Sequence, residues 1–409
     1  MFAAIGLALT GCFGTSVDPS AQFTPVQEPL GPEVTDALQG VLDQAIALSG
    51  SSGGVAGVWA PWAGEWTAAS GTTDFGENPP RLTTGTGFRL ATITTEITCT
   101  VLLRLVDEGE VALDDPVAEY VDWIPKLDGI TLEQLCRHTS GLADYYPVLR
   151  DHFMRNPARP WSANELLSNG LALNRVGPPG EQVRESRTGV LLLAFALERR
   201  TGKSWNELAE QYVFGPLDME ATSLPPGDAT GRRGMLGGYA SPGVPGGVDC
   251  AALLDDSSAS SSMGGAAAGA ISTLEDTRLF SEAFATGALL SERTSRAQWD
   301  TVPLGGDTPA WQTAGIGGLQ YGSLRGLAGE TAGALTAAFT DPGSGLTVVV
   351  ALNNSTSGAA FVREVAFALA SIASKARPAD GGEPPLIELP WSVDQATAKM
   401  QELGVCPRA

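Results

Sequence analysis

The chain has 409 residues, 43% of them apolar, and a formal net charge of −21. That charge, with no basic stripe to displace counterions from a phosphate backbone, argues against nucleic acid as a partner. The length holds two to three ordinary domains or one large interrupted one, and 50 glycines with 27 prolines call for a fold rich in turns.

Residues 1–12, MFAAIGLALTGC, are apolar and end in small residues before Cys12. This resembles a bacterial lipoprotein signal in which Cys12 becomes the lipidated N-terminus, tying the protein to the outer face of the cell membrane. The run is shorter than the ~20 apolar residues that span a bilayer. It lacks the basic stretch expected at the head of an export signal, so translation is expected to start upstream. Residues 13–33, rich in Pro, Ser and Thr, are expected to form a flexible tether.

Folded structure is expected from near Thr35. DALQGVLDQAIAL puts Leu38, Val41, Leu42, Ala45 and Ile46 on one face of an amphipathic helix. GVAGVWAP and GEWTAASG read as two short strands around a turn at Trp62–Gly64. In Phe88–Val117, FRLATITTEITCTVLLRLVDEGEVALDDPV, a short extended run leads into a long helix. Its apolar residues Ile93, Ile97, Val101, Leu102 and Leu105 recur three to four apart. Thr92 suits the N-cap, Glu96 the first turn and Gly109 the C-terminal cap. Ile130–His138 reads as a helix stopped at Gly141. A further helix is expected from about Thr188, then loops over 224–265, then, within 266–284, a helix capped by Ser272 or Thr273. AGIGGLQYG, GALTAAFTDP and GLTVVVALNN are β-prone runs separated by turns. Phe361–Ala376 reads as a closing apolar helix, and the tail 377–409 as irregular apart from a short helix near Val393–Leu403.

Several of these stretches together resemble one family. FRLATITTEITC with GEVALDDP, HTSGL at 138–142, PPG…TG at 178–189, GPLDMEAT at 215–222 and the STLEDTRL helix start are the carriers. They are similar to serine β-lactamases of the class C type and their D-Ala-D-Ala carboxypeptidase and esterase relatives. The resemblance covers about residues 35–376 and implies an α+β fold of the β-lactamase/transpeptidase kind. That is an antiparallel sheet flanked by N- and C-terminal helices, with an all-α region inserted between strands and the pocket at their junction. On that frame one domain spans 34–376, its sheet part about 34–87 and 285–376 and its helical part about 88–284.

The resemblance also implies which positions carry chemistry, and there this chain departs from it. Relatives use a serine nucleophile, a lysine one helical turn on, a tyrosine from Y-x-N that shuttles the proton, and a K/H-x-G strand. That strand binds the substrate carboxylate and helps form the oxyanion hole. The corresponding residues are Thr92, Thr95, Glu185-Ser186-Arg187 and Leu327-Ala328-Gly329. No other register rescues the site. None of the four lysines (Lys126, Lys203, Lys375, Lys399) has a Ser or Thr three residues before it, and no Tyr-x-Asn occurs.

Thr92 is a competent nucleophile only with a base beside it. Glu185 is the candidate, but Arg187 is expected to hold that carboxylate ionised and weakly basic. Glu96, about 100° around the helix from Thr95, is expected to point away. Glu185 and Arg187 are read as an ion pair lining the cleft, against the alternative of two solvated residues on a drifted loop. Glu330 adds a carboxylate to the pocket lining, expected to disfavour anions such as penicillins or a D-Ala carboxylate terminus. A Glu185–Glu330 pair for glycoside hydrolysis would need carboxyls ~5–10 Å apart, and nothing in the sequence sets that spacing. His138 is read as a hydrogen-bonded structural residue, and His152 carries no signal.

Cys99 and Cys136 fall on buried helix faces, where small apolar packing is the default. An exported location also permits a Cys99–Cys136 or a Cys250–Cys406 bridge. No Cys/His spacing suggests zinc, and no metal or other cofactor is expected. The resulting reading is an exported lipoprotein of this hydrolase family that is catalytically silent and acts by binding or scaffolding at the cell envelope. Its partners would be the membrane, through the lipid, and a cell-wall peptide or small molecule. The alternative is an acyl-transfer enzyme of esterase, peptidase or β-lactamase type with altered chemistry at Thr92. A structural envelope lipoprotein without a ligand is the third reading.

Overall fold

The computed structural model describes residues 16–229 and 234–408. The expected signal, with Cys12, lies outside the described residues. One sheet of eight strands organises the rest: β1 (Gly53–Ala60), β2 (Gly64–Gly71), β3 (Val302–Pro303), β4 (Gln312–Ala314), β5 (Leu319–Tyr321), β6 (Leu324–Thr331), β7 (Ala334–Thr340) and β8 (Thr347–Leu352). The order is β2-β1-β8-β7-β6-β5-β4-β3, antiparallel throughout. The helices that build the core and the site are α1 (Pro32–Ser49), α2 (Ile93–Asp107), α3 (Leu132–Cys136), α4 (Tyr146–Arg155), α5 (Arg187–Thr201), α6 (Leu274–Thr286), α7 (Gly358–Ala373) and α8 (Val393–Leu403).

Strands β1, β7 and β8 are buried along their full length, because both faces of the sheet are covered. That is why they read as near-continuous apolar runs. Alternate side chains still divide between two cores. Ala56, Val58, Leu335, Phe339 and Val350 join Leu38 and Leu42 of α1, Phe361 and Val365 of α7 and Met400 of α8. Val55, Leu327, Ala338 and Val349 join Ile93, Ile97 and Leu102 of α2 on the opposite side. The α+β architecture with a helical region between the strands of one sheet is as the sequence implied.

Helix α2 is more deeply placed than its apolar stripe suggested, with Ile93 through Leu103 all buried. Its polar faces survive burial because their hydroxyls are bonded, as buried polar groups require. Thr94 Oγ1 donates to Ala91 O at 2.8 Å, Thr98 Oγ1 to Ala266 O at 2.6 Å and Thr100 Oγ1 to Glu96 O at 2.8 Å. Local signals also place the other helix ends. Thr131 and Gln134 form a capping box that starts α3, Ser186 caps α5, and Thr273 rather than Ser272 caps α6. The helix expected over Ile130–His138 is therefore shorter, Leu132–Cys136.

From Ser16 on, the expected tether lies along the domain. Val17 N–H donates to Pro216 O, Val26 N–H to Pro61 O and Leu30 N–H to Glu65 O, and the Leu30 side chain is buried. At the other end α8 occupies Val393–Leu403 and Trp391 stacks on Phe367 with centroids 3.8 Å apart. Both bridges form: Cys99–Cys136 ties α2 to α3, and Cys250–Cys406 ties a surface loop to the tail. The packing default for Cys99 and Cys136 gives way because their Cα atoms come within 5.8 Å. A bridge of this kind typically contributes about 2–4 kcal/mol.

Candidate functional site

Thr92 stands where the chain turns from the paired segment Phe88–Arg89 into α2. Ala91 makes the turn at φ +50°, a conformation uncommon for a residue with a side chain. Thr92 is 5% exposed and lies against β6. A Cβ built on Gly329 would fall 1.6 Å from Thr92 Oγ1 and 2.8 Å from Thr92 N. The glycine of the third motif and the hydroxyl of the first are therefore in direct contact, and only a residue without a side chain fits between them. Among the described residues no hydrogen bond joins the Thr92 side chain to a base, and it does not cap its own helix.

Thr95, which the resemblance sets at the lysine's position, donates from Oγ1 to Ala267 O at 2.9 Å. That hydroxyl is committed to a carbonyl and has no basic group to offer. Glu96 does not point to solvent. It is 1% exposed, its Oε1 has no partner among the described residues, and burial holds its carboxyl well above the usual range. Leu327, at the lysine position of the third motif, belongs to the α2-side core.

Glu185 and Arg187 divide sharply. Glu185 is 56% exposed, whereas Arg187 is 4% exposed with its guanidinium inside the cleft. Their closest approach is 3.9 Å, so they pair, but loosely. Arg187 is held by three other contacts. Its Nη2 donates to Glu330 O at 2.9 Å, its backbone N–H donates to Asp144 Oδ1 at 3.2 Å, and its guanidinium lies 3.6 Å over the Tyr146 ring. Burial alone would lower its pKa, but Glu185 and Asp144 more than offset this and raise it. Arg187 thus occupies space between α4, α5 and β6. Burial also pushes the Tyr146 phenol up to about 12, so it is no base near neutral pH.

Glu330 departs from its expected place. Only its backbone carbonyl meets Arg187; its Oε2 lies 3.3 Å from where a Cβ on Gly358 would be, at the start of α7. Burial raises its pKa, while Arg187 and the Ala359 N–H at the α7 N-terminus lower it. The carboxylate expected to repel anions from the pocket is therefore turned to a helix end. Of the two carboxyls weighed as a pair, Glu330 thus meets the start of α7, whereas Glu185 reaches toward Arg187.

His138 is structural, as read from the sequence. It adopts φ +55°, its Nδ1 accepts the Ser186 N–H at 3.3 Å, and its carbonyl accepts the Arg184 N–H. Burial pulls its pKa down to about 4, so the ring is neutral and free to accept. Through this bond HTSGL positions the segment that carries Glu185 and Arg187. Tyr146 and Asp144 escaped sequence reading, although DYYP follows HTSGL with only Ala143 between; an aromatic platform for a distant arginine has no local periodicity.

Asp256 was also missed. It is fully buried, neither carboxyl oxygen has a partner among the described residues, and burial raises its pKa to about 7. An aspartate in the unfolded chain titrates near ~4. The native state therefore keeps a proton that the unfolded chain releases between ~4 and ~7, and the associated stability is full below that window and lost as pH rises through it. Urea midpoints should fall between about pH 5 and about pH 8, and Asp256→Asn should flatten that fall. An unchanged slope in the variant would remove Asp256 as the cause.

The sequence profile of the family described as Beta-lactamase matches residues 41–371. Among curated relatives, the D-alanyl-D-alanine-carboxypeptidase/endopeptidase AmpH of Escherichia coli K12 is 32% identical over 154 residues, 36% of this chain and 39% of that protein. A D-aminopeptidase of Cereibacter sphaeroides is 31% identical over 198 residues, 46% of this chain and 36% of its own. The aligned region thus spans well under half the length of these relatives. In structure, a D-stereospecific amidohydrolase from Streptomyces superposes with TM-score 0.69 at 24% identity, covering 80% of this chain and 95% of that one. The D-amino acid amidase of Ochrobactrum anthropi complexed with D-phenylalanine gives 0.67 at 25% identity, covering 79% and 92%. With the profile spanning both the sheet and the helical region, the chain belongs to the Beta-lactamase family of serine-hydrolase-related proteins.

Proposed function

We propose that this chain is a catalytically silent member of its family, exported and lipid-anchored through Cys12, that binds a cell-wall peptide or small molecule, or scaffolds, at the cell envelope. The observation that carries the silent reading is the pairing of Thr95 with the Ala267 carbonyl beside a Thr92 hydroxyl that has no base bonded to it among the described residues. Losing one member of an activated-nucleophile set already costs several orders of magnitude in turnover, and here nucleophile, base and shuttle have all changed. The anchor is supported by the MFAAIGLALTGC start.

The second reading is an acyl-transfer enzyme with altered chemistry at Thr92. The names of the relatives favour it: carboxypeptidase/endopeptidase, D-aminopeptidase and D-amino acid amidase. It would take D-amino acid amides or peptides, with Glu185 swung free of Arg187 as the base.

Intact-mass analysis of the protein, made in a bacterium with its natural leader, tests both. Incubation with a fluorophosphonate, a penicillin and an activated ester is expected to add no mass, and D-phenylalanine amide to remain uncleaved. A single adduct on Thr92, or cleavage lost in Thr92→Ala, would sink the silent reading. The same spectrum is expected to show a diacylglyceryl mass on Cys12, and a bare N-terminus removes the anchor.

A further inference from the structure

From Ser16 to Leu30 the chain is strapped to the domain at its start, middle and end. At the start Val17 N–H donates to Pro216 O at 2.7 Å, and the Val17 side chain packs on the α2-side core. In the middle Val26 N–H donates to Pro61 O at 2.8 Å, and Phe23 closes on Gly345, where an added Cβ would fall 2.7 Å from the ring. At the end Glu28 O accepts the Glu65 N–H and Leu30 N–H donates to Glu65 O, so the strap extends the outer edge of β2. Leu30 is buried in the α1-side core. Fixing a chain segment costs backbone entropy at every residue, and apolar contact at Val17, Phe23 and Leu30 offsets that cost here.

The strap limits where the domain can stand, because its first tie comes only five residues after Cys12. Five residues reach at most about 18 Å when fully extended, whereas an undocked chain from Cys12 to Leu30 would reach about 65 Å. Charge does not supply the hold. Asp18, Asp218 and Glu220 are exposed around the Val17–Pro216 tie, and the negative surface they give this corner is repelled by an anionic bilayer.

We propose, on the reading of Cys12 as the lipidated residue, that this strap is a short leash. It turns the Val17–Pro216 corner toward the bilayer and holds it within about 18 Å of the lipid-bearing residue. The lipid surface is then a standing neighbour of one defined face of the domain, kept there by the docked strap rather than by charge. A cell-wall peptide or small molecule is met beside the membrane and not at the end of a long tether.

The test uses the full chain, made in a bacterium with its natural leader and reconstituted into vesicles of phosphatidylethanolamine and phosphatidylglycerol that carry a trace of acceptor-labelled lipid. A donor dye is placed on Glu220→Cys, where it is the one free thiol, since Cys99, Cys136, Cys250 and Cys406 are bridged. Energy transfer to the lipid is expected to be the same at low and high salt. It is expected to fall at least about twofold when Val17→Asp with Phe23→Asp frees the strap, because a loose chain of that length spreads over about 25 Å instead of about 12 Å. Inserting about twenty Gly/Ser residues before Ser16 leaves the strap docked and is expected to cause a comparable fall, so it decides if the aspartate variant fails to fold. Protein that does not float with the vesicles would remove the anchor and the leash together. Flotation with energy transfer untouched by the insertion would overturn the leash alone and leave the anchor standing. Wild-type transfer that collapses at high salt would show that charge holds the corner, and would overturn the leash as well.

Discussion

Arg187→Ala is expected to destabilise the protein by about 3–5 kcal/mol, the usual cost of stripping one partner from a buried charged cluster. The exposed Glu185 contributes little to that figure, because an ion pair reaching into solvent is worth little. The loss comes from the inner side. Asp144, raised by its own burial and lowered chiefly by Arg187, would lose its nearest compensating charge. The Glu330 carbonyl would lose its donor, and the Tyr146 ring the guanidinium stacked 3.6 Å above it. Arg187→Lys keeps the charge but not the flat, forked group, and should recover only part of the loss. Urea unfolding of the three proteins at neutral pH measures this. A loss below about 1 kcal/mol for the alanine variant would mean that Arg187 is a solvated loop residue after all.

Gly329→Ala is the second large effect. The added carbon would sit 1.6 Å from Thr92 Oγ1, and rotating the threonine does not clear it, because Thr92 N is also only 2.8 Å away. Strand β6 must move off α2, and overpacking of this kind costs about 1–3 kcal/mol or more. Gly40, within α1 and with nothing within 4 Å of its would-be Cβ, is the matched control. There alanine should stabilise by about 0.5–1 kcal/mol, since it meets only the helix's preference for alanine. Thermal melts of both variants give the comparison. Equal effects at the two positions would show that β6 does not press on Thr92.

The two effects bear on function from opposite sides. Gly329 shows that β6 presses directly on Thr92 where the first and third motifs meet. Arg187 shows that the space beside it is filled by a side chain with its own partners. Variants at Arg187 therefore report on whether the cleft can open, and variants at Gly329 on whether the junction can tolerate change.

How much of this was legible beforehand follows from how far apart the interacting residues lie. Helix α2, its glycine stop near Gly109, a cap at Ser272 or Thr273 and the late helix at Val393–Leu403 depend on neighbours three to four residues away, and the sequence carries them openly. The strands β1, β7 and β8 were legible as apolar runs, though not their order in the sheet. The departures at Thr92, Thr95 and Glu185–Arg187 were also legible, because each is an identity at a place set by a motif.

Everything that turned on distant partners was not. The Cys99–Cys136 and Cys250–Cys406 bridges close loops of 37 and 156 residues, and the sequence could name them only as permitted pairs beside a default of unbridged packing. Glu330 reads like a pocket carboxylate until the N-terminus of α7 is seen to take it. Glu96 reads like a first-turn helix charge until burial on all sides of α2 removes it from solvent. By itself the sequence determined the fold class, the local elements and which residues stand at the positions the family resemblance assigns to the acyl-transfer side chains, because these reside in spacing and identity. Only the tertiary structure decided which charges are paired, which are buried and which face the cleft, because desolvation and hydrogen bonding depend on what the folded chain brings within a few ångströms.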